Sequence, residues 1–368
     1  MINNLKNLKK FYDFLADDRK RVFILKILDL VGVKKNVIRL DTNNVCTIEC
    51  IMCSNKPQKC SAENFISFEN FKNIINKINK KVRFLYLSCG FEPLMTPNFN
   101  KYLSYAKQKK IPFISFATNG LLLNKTIVEQ LVKEQINEVV ISINGLNEKD
   151  YNRIMFRSNF ETLVKNLTYL KEYKENQNSI YPKIRVNIIL LKSNLIFFDQ
   201  LEELLNRFDI DTIQFRELTE TEEANNPKVL AEEKIEIIPP EELHKLLDQI
   251  KNKIKVWSKK GKQIIFPLHY LNQEKSTPKS KEEKSLSKNQ MDSLSFNQSC
   301  SLPFFSYWID HLGQVKICPT DPEAIIGNLI QDDWKDLEKK SKNFRKKALT
   351  GQCQKNCFGV AVDSSNII

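Results

Sequence analysis

Ile38-Arg-Leu-Asp-Thr42, followed closely by Cys46-Thr-Ile-Glu-Cys50-Ile-Met-Cys53, carries the chain from a short apolar segment into a loop bearing three thiols. Gaps of three and two residues let a short turn wrap one face of an iron-sulfur cube, placing soft anionic sulfur on three irons and leaving the fourth open. Zinc is the competing reading, because Cys-x2-Cys is also half of a zinc site. No histidine or finger-like fourth cysteine lies beside the triplet, although Cys60 keeps a four-thiolate site open.

Working outward from this loop, a repeating pattern emerges. Apolar segments at 38–42, 83–88, 112–117, 137–143, 184–191 and 211–216 are predicted strands, and stretches near 67–80, 98–109, 124–135, 158–174 and 197–207 have helical spacing. Six strands alternating with five helices imply parallel strands, because each right-handed crossover lays its helix over a face of the sheet. Two α/β architectures satisfy this, a Rossmann-like sheet and a partial barrel of six βα units. In either, residues 46–53, 88–93, 118–120 and 142–145 follow successive strands and gather on one rim.

Flanking regions read differently. Residues 1–37 form a helical extension, with Ile24, Ile27, Leu28 and Val31 as one apolar stripe. The core is 38–220. Residues 221–297 form a linking region with one or two amphipathic helices at 230–260, a short strand at 263–267, and a Lys/Ser-rich loop at 273–290 expected to be mobile. Residues 298–368 form a last small α+β domain.

The 368 residues are 42% hydrophobic, enough for a large core, and carry a formal charge of +13. No opening apolar run suits a signal peptide, and residues 22–31 are too short and too charged to cross a bilayer. A cytoplasmic protein with reduced thiols is expected, with no membrane and no specific nucleic acid as partner. The excess lysine reads as a solubilising surface or as attraction for an anionic substrate.

With Met52 as the bulky residue before the last cysteine, the C-x3-C-x2-C run resembles the signature of the radical S-adenosylmethionine (SAM) superfamily, over roughly residues 38–220. The resemblance implies a partial (β/α)6 TIM-like barrel, a 4Fe-4S cluster on Cys46, Cys50 and Cys53, and SAM bound to the open iron through its amino and carboxylate groups. Met52 would pack on adenine. Ser88-Cys-Gly-Phe-Glu-Pro93 resembles the family's Gly-Gly-Glu motif, with Phe91 at the second glycine position, and makes Gly90 and Glu92 SAM-side residues; Glu92 can equally cap the following helix. Thr118 and Asn119 would face the sugar or carboxylate of SAM, with Ser142 and Asn144 on the same rim. Of Arg185 and Asn187 on the fifth strand at least one is expected to point inward; Asn187 is the expected SAM contact, and pairing with a surface acid is the alternative for Arg185. Arg216, a charge expected inside a barrel, must be paired or reach substrate.

Cys300, Cys318, Cys353 and Cys357 make a second constellation, with hairpin chemistry at 310–313 bringing the first two together. Their spacing fits one structural zinc or one fully ligated 4Fe-4S cluster. C-x12-G-x4-C and a later pair resemble the family's SPASM or twitch auxiliary domains, which implies one auxiliary 4Fe-4S cluster.

By that resemblance, the reduced cluster donates an electron to SAM and the resulting 5'-deoxyadenosyl radical takes hydrogen from substrate, with the auxiliary cluster accepting the substrate's electron. The expected activity is a radical SAM oxidoreductase acting on a small polar metabolite such as a sugar, aminocyclitol or nucleotide, with a flavodoxin- or ferredoxin-like electron donor. The triplet starts too early for a preceding leader-peptide domain, yet a peptide-modifying maturase remains an alternative. Epimerisation would need a thiol to return hydrogen, from Cys60 or Cys89. A zinc-containing binding protein is the non-enzymatic alternative.

Overall fold

The computed structural model describes residues 18–30, 35–54, 60–88, 90–218, 224–267, 300–319, 321 and 324–350. The elements are, in order, α1 (Asp18–Leu30), β1 (Asn36–Leu40), β2 (Glu49–Cys50), α2 (Phe68–Ile78), β3 (Val82–Leu87), α3 (Phe99–Gln108), β4 (Phe113–Thr118), α4 (Lys125–Lys133), β5 (Glu138–Ser142) and α5 (Glu148–Ile154). Next come β6 (Met155–Phe156), α6 (Phe160–Asn176), β7 (Lys183–Ile189), α7 (Lys192–Ile196), α8 (Gln200–Phe208), β8 (Thr212–Arg216), α9 (Pro227–Glu232), α10 (Pro240–Lys259) and β9 (Gln263–Ile265). The chain closes on β10 (Ser306–Ile309), β11 (Gln314–Lys316), β12 (Ile325–Asn328), α11 (Trp334–Lys340) and α12 (Lys342–Leu349).

β1, β3, β4, β5, β7 and β8 are the six expected strands, alternating with α2, α3, α4, α6 and α8. The fold class is the partial (β/α)6 barrel with a smaller α+β region. Contacts divide the chain into two units, one drawn from Met1–Leu40, Phe68–Leu85 and Thr277–Ile368, the other from Asp41–Ser67 and Tyr86–Ser276.

In the second unit β4, β5, β7, β8 and β9 lie side by side in chain order, all parallel. Succession without reversal is the arrangement of a barrel wall, whereas a doubly wound sheet reverses its order at a switch point. Strand residues Val139, Ile141, Val186, Ile188 and Ile213 are buried, and the helices cover them with Leu131, Leu163, Leu167, Leu201 and Leu205. Asparagine caps these helices repeatedly: Asn124 accepts from Ile127 N, Asn147 from Asp150 N and Asn159 from Thr162 N, each satisfying a first-turn donor.

Inside this wall Arg185 meets Glu138. Nε and Nη2 of Arg185 each lie 2.9 Å from Glu138 Oε1, Nη1 donates to Gln214 Oε1 at 3.1 Å, and Ser115 Oγ donates to Glu138 Oε2 at 3.2 Å. The expectation of a surface acid is corrected: both partners are buried, and the charge is satisfied within the sheet.

In the first unit the order is β12-β11-β10-β1-β3, with β1 and β10 parallel and the two remaining hairpin pairs antiparallel. The expected hairpin turn forms at 310–313. Asp310 Oδ1 accepts from Leu312 N and Gln314 N, and Gly313 takes φ +82°, where a Cβ would lie 2.7 Å from Asn328 Oδ1. Tyr307, Glu338 and Arg345 join in a hydrogen-bonded group, with Arg345 Nη1 2.6 Å from Glu338 Oε2. In α1 the apolar stripe is rotated from expectation: Val22 and Leu25 are buried while Ile27 is exposed, and Val31 lies outside the described residues. The 273–290 segment also lies outside them. Among the described residues no helix is long and apolar enough to cross a membrane.

Candidate functional site

The thiol loop is pinned by its apolar residues. Val45, Ile48, Ile51 and Met52 are buried, which leaves Cys46, Cys50 and Cys53 half-buried between them. Backbone ties fix the loop from three directions. β2 pairs antiparallel with β6, setting Cys50 opposite Met155, and Ile51 N donates to Ile154 O at 2.9 Å. Asn225 N donates to Cys53 O at 2.9 Å, Asn226 N to Ile51 O at 3.1 Å, and Asn225 Nδ2 to Cys50 O at 3.3 Å. Glu92 N donates to Val45 O at 3.0 Å, while Asn43 Nδ2 donates to both Glu92 O and Thr96 Oγ1 at 2.8 Å.

Glu92 joins this loop to the end of β4. Its carboxylate is fully enclosed: Oε1 accepts from Thr118 Oγ1 at 2.8 Å and Leu94 N at 3.1 Å, and Oε2 from Asn119 N at 2.8 Å. Asn119 then reaches back, Nδ2 donating to Thr47 Oγ1 at 2.9 Å and lying 4.0 Å from Cys46 Sγ. Burial raises the Glu92 carboxyl to about 7 despite those three donors. The capping alternative for Glu92 holds, since it closes the short turn Pro93–Met95 through Leu94 N.

Burial also pushes the Cys46 thiol up to about 11, with the charges of Glu92 and Cys53 adding to it. Cys50 is pushed up by burial and then by Cys53 and Cys46. A metal binds thiolate rather than thiol, so metal uptake on Cys46 and Cys50 should release protons.

The other expected residues fall as follows. Ser142 and Asn187 are register partners at the ends of β5 and β7, and Asn187 Oδ1 is buried without a hydrogen-bond partner among the described residues. Asn144 is committed to the framework, with Oδ1 accepting from Ile189 N and its carbonyl from Asn194 Nδ2. Gly90 is exposed, its N–H 3.5 Å from Asp41 Oδ1. Arg216 ends β8 with an exposed side chain, so the argument from an enclosed charge does not apply to it. Cys60 is exposed, and Cys89 lies outside the described residues.

Cys300 and Cys318 are half-buried, and Cys300 N donates to Ala348 O at 2.9 Å. Cys353 and Cys357 lie outside the described residues. None of the six described cysteines forms a disulfide.

Sequence reasoning missed the Asn225-Asn226 clamp and the β2/β6 ribbon. Two-residue strands carry no periodicity, and the clamp comes from a segment 175 residues after Cys50 with no motif of its own.

Residues 41–192 match the Radical SAM superfamily. A GTP 3',8-cyclase from Clostridium botulinum is 26% identical over 189 residues, 49% of this chain and 54% of that protein. A probable GTP 3',8-cyclase from Methanococcus maripaludis is 27% identical over 140 residues, 38% of this chain and 46% of that protein. The chain thus spans about half the length of the curated relatives it matches. Streptococcus suis SuiB bound to S-adenosylmethionine is similar in structure, with TM-score 0.61 and 16% identity over 93% of this chain and 73% of that one. So is anSMEcpe with bound AdoMet and a Cp18Cys peptide, with TM-score 0.59 and 12% identity over 86% and 82%. At these identities the likeness shows the fold.

Proposed function

We propose that this chain, whose residues 41–192 belong to the radical SAM superfamily, is an oxidoreductase that holds a 4Fe-4S cluster on Cys46, Cys50 and Cys53 and acts on a small, polar, anionic metabolite. The observation that carries this reading is the brace from Glu92 through Asn119 to Cys46. It ties the thiol loop to the residues after β3 and β4, so ligands and SAM-side residues form one construction.

The donor set fits the group. Cys46, Cys50 and Cys53 sit half-buried on one loop, with Cys53 acting on the ionisation of both others. A cube accepts one thiolate per iron, so its ligands stand apart. Asn187 Oδ1, buried and without a partner among the described residues, is an acceptor of the kind an N–H of the SAM amino group or a ribose hydroxyl would satisfy.

When bound, the cluster and SAM would supply radical hydrogen-abstraction chemistry. The chain's own residues bind, orient and exclude water. Glu92 and Asn119 hold the loop after β4, Gly90 offers backbone to SAM, and Met52, Thr118, Ser142 and Asn187 contribute along the rim. A cation arriving beside Glu92 would favour its charged form, so SAM binding near neutral pH would release a proton.

For the substrate, the names of the curated relatives support a nucleotide among the small metabolites, and the +13 charge supports an anion. A peptide is the second reading, favoured by the fold likeness to SuiB, which has also been solved bound to its precursor peptide SuiA. Cys300, Cys318, Cys353 and Cys357 would carry one auxiliary 4Fe-4S cluster, and a flavodoxin- or ferredoxin-like protein in the cytoplasm would supply electrons.

Iron and acid-labile sulfide after anaerobic reconstitution test this. About eight of each per chain, falling to about four in the Cys46/Cys50/Cys53 triple alanine variant, are expected for two clusters. About four falling to none would move the second cysteine set to zinc. Zinc without sulfide, and no 5'-deoxyadenosine after reduction with SAM, would overturn the proposal.

A further inference from the structure

Lys174 stands where α6 calls for an apolar residue. The buried face of that helix runs Leu163, Leu167, Leu170 and then Lys174, the spacing that keeps successive side chains on one stripe. A lysine that snorkels carries its ammonium out to bulk water, but Lys174 is only 7% exposed. Among the described residues it makes no hydrogen bond and no ion pair. An ammonium held out of water costs free energy unless a partner takes the water's place, so an unpaired one points to a ligand.

A cavity of about 420 Å³ is lined by Lys174. Phe208 and Ile184 give it a buried apolar wall, and Ile180 gives it an exposed apolar edge. The turn leaving α6 fixes one side, where Ser179 N donates to Lys174 O at 2.9 Å and Asn178 N to Glu175 O at 3.0 Å. Ile184 lies at the start of β7, and Phe208 and Asp209 come just before β8. The cavity is therefore at the N-terminal end of the strands, whereas Asn119, Ser142 and Asn187 stand toward the C-terminal end where barrel chemistry is done.

The other charges around it are matched. Lys262 Nζ lies 2.9 Å from Asp209 Oδ1, Lys183 Nζ 2.9 Å from Asp211 Oδ1, and Lys171 Nζ 3.9 Å from Glu175 Oε1. One positive charge is left over, on Lys174. Burial holds its ammonium below the usual lysine range, and Asp211 and Asp209 restore only part of that loss.

We propose that this cavity is a second binding site, for a small monocarboxylate with an apolar body, which pairs its carboxylate with Lys174 and lays its chain on Ile180, Ile184 and Phe208. One uncompensated charge matches one carboxylate. A phosphate dianion would meet Glu175 and Asp209 in the same cavity and be repelled. The volume suits a small molecule, and the apolar wall rewards a hydrocarbon chain.

Isothermal titration calorimetry of the full chain with butyrate and hexanoate, and with 1-hexanol and inorganic phosphate as controls, tests this. Hexanoate is expected to bind at one site per chain, at least about tenfold more tightly than either control, which is the worth of one charge-assisted hydrogen bond. Butyrate should bind more weakly than hexanoate, having less apolar surface to bury. Lys174→Met keeps the stem and removes the charge, so hexanoate should weaken about tenfold. That variant should melt no lower than wild type, because a buried unpaired charge has gone. Ile180→Glu, at an exposed position, sets a carboxylate beside the cavity; it should weaken hexanoate as well and covers failure of Lys174→Met to fold. No binding of hexanoate to wild type, undiminished binding to either variant, or phosphate binding as tightly as hexanoate would overturn the inference.

Discussion

The hydroxyl of Thr118 donates to Oε1 of Glu92 at 2.8 Å, and Asn119 N meets Oε2 of the same carboxylate at the same distance. One enclosed acid therefore organises two loops that follow different strands. Enclosure raises the pKa of that acid to about 7, and Asn119, which it holds, lies with Nδ2 4.0 Å from Cys46 Sγ.

That enclosure sets a pH dependence for the metal-free protein. Glu92 is raised from 4.5 to about 7, so between those values the folded chain holds a proton that the unfolded chain has released. Stability must therefore fall as pH rises from about 4.5 to about 7 and stay level above, by an amount on the order of 3 kcal/mol for this group. Glu92→Gln should flatten that slope in urea titrations run across this range. Parallel slopes for the two proteins would refute it.

The Arg185-Glu138 pair makes a separate prediction about the wall. Both side chains are buried, so removing one strands the other. Arg185→Met should cost about 3–5 kcal/mol, and the double variant Arg185→Met/Glu138→Leu should cost clearly less than the sum of the singles. Additive losses in a denaturant cycle would mean that the two are not coupled.

How much of this could be read from the chain follows from the range of each interaction. The six strands and five helices were legible because periodicity is local: residues such as Leu163, Leu167 and Leu170 carry their burial in their spacing. The thiol loop was legible because ligand chemistry dictates its own spacing. Arg185 was misread because its alternation along β7 gave a face and could not say that Glu138 stands beside it on β5. Arg216 sits exposed at a strand end, where inward and outward lose their meaning. Asn225 acts through contacts with a distant segment and carries no local signal of what it touches.

Gly145 is predicted to be irreplaceable. A Cβ there would lie 2.2 Å from Tyr151 N and 2.6 Å from Asp150 C, both backbone atoms that no rotamer change can move. Gly145→Ala should destabilise by more than the ~1–3 kcal/mol of ordinary overpacking, because α5 itself must shift. Since β6 follows that helix, the ribbon to Cys50 should loosen too. A thermal melt within a degree of wild type would contradict this.

Asn225 gives the last prediction, because it separates holding the loop from holding the fold. Its N–H reaches Cys53 O and its side chain reaches Cys50 O, so it clamps the carbonyls of two cysteines from outside the loop. Asn225→Ala keeps the backbone bond and removes the side-chain one, a loss of about 1 kcal/mol. The secondary structure should be unchanged by circular dichroism, since Asn225 lies in the connection between β8 and β9 and in neither strand. Iron held on Cys46, Cys50 and Cys53 should pass to a chelator about fivefold faster, because the loop opens more often and each opening exposes a thiolate to exchange. Release at the wild-type rate would show that the β2/β6 ribbon alone fixes the loop; faster release accompanied by a lowered melting temperature of the metal-free chain would show that the clamp serves the fold before it serves the site.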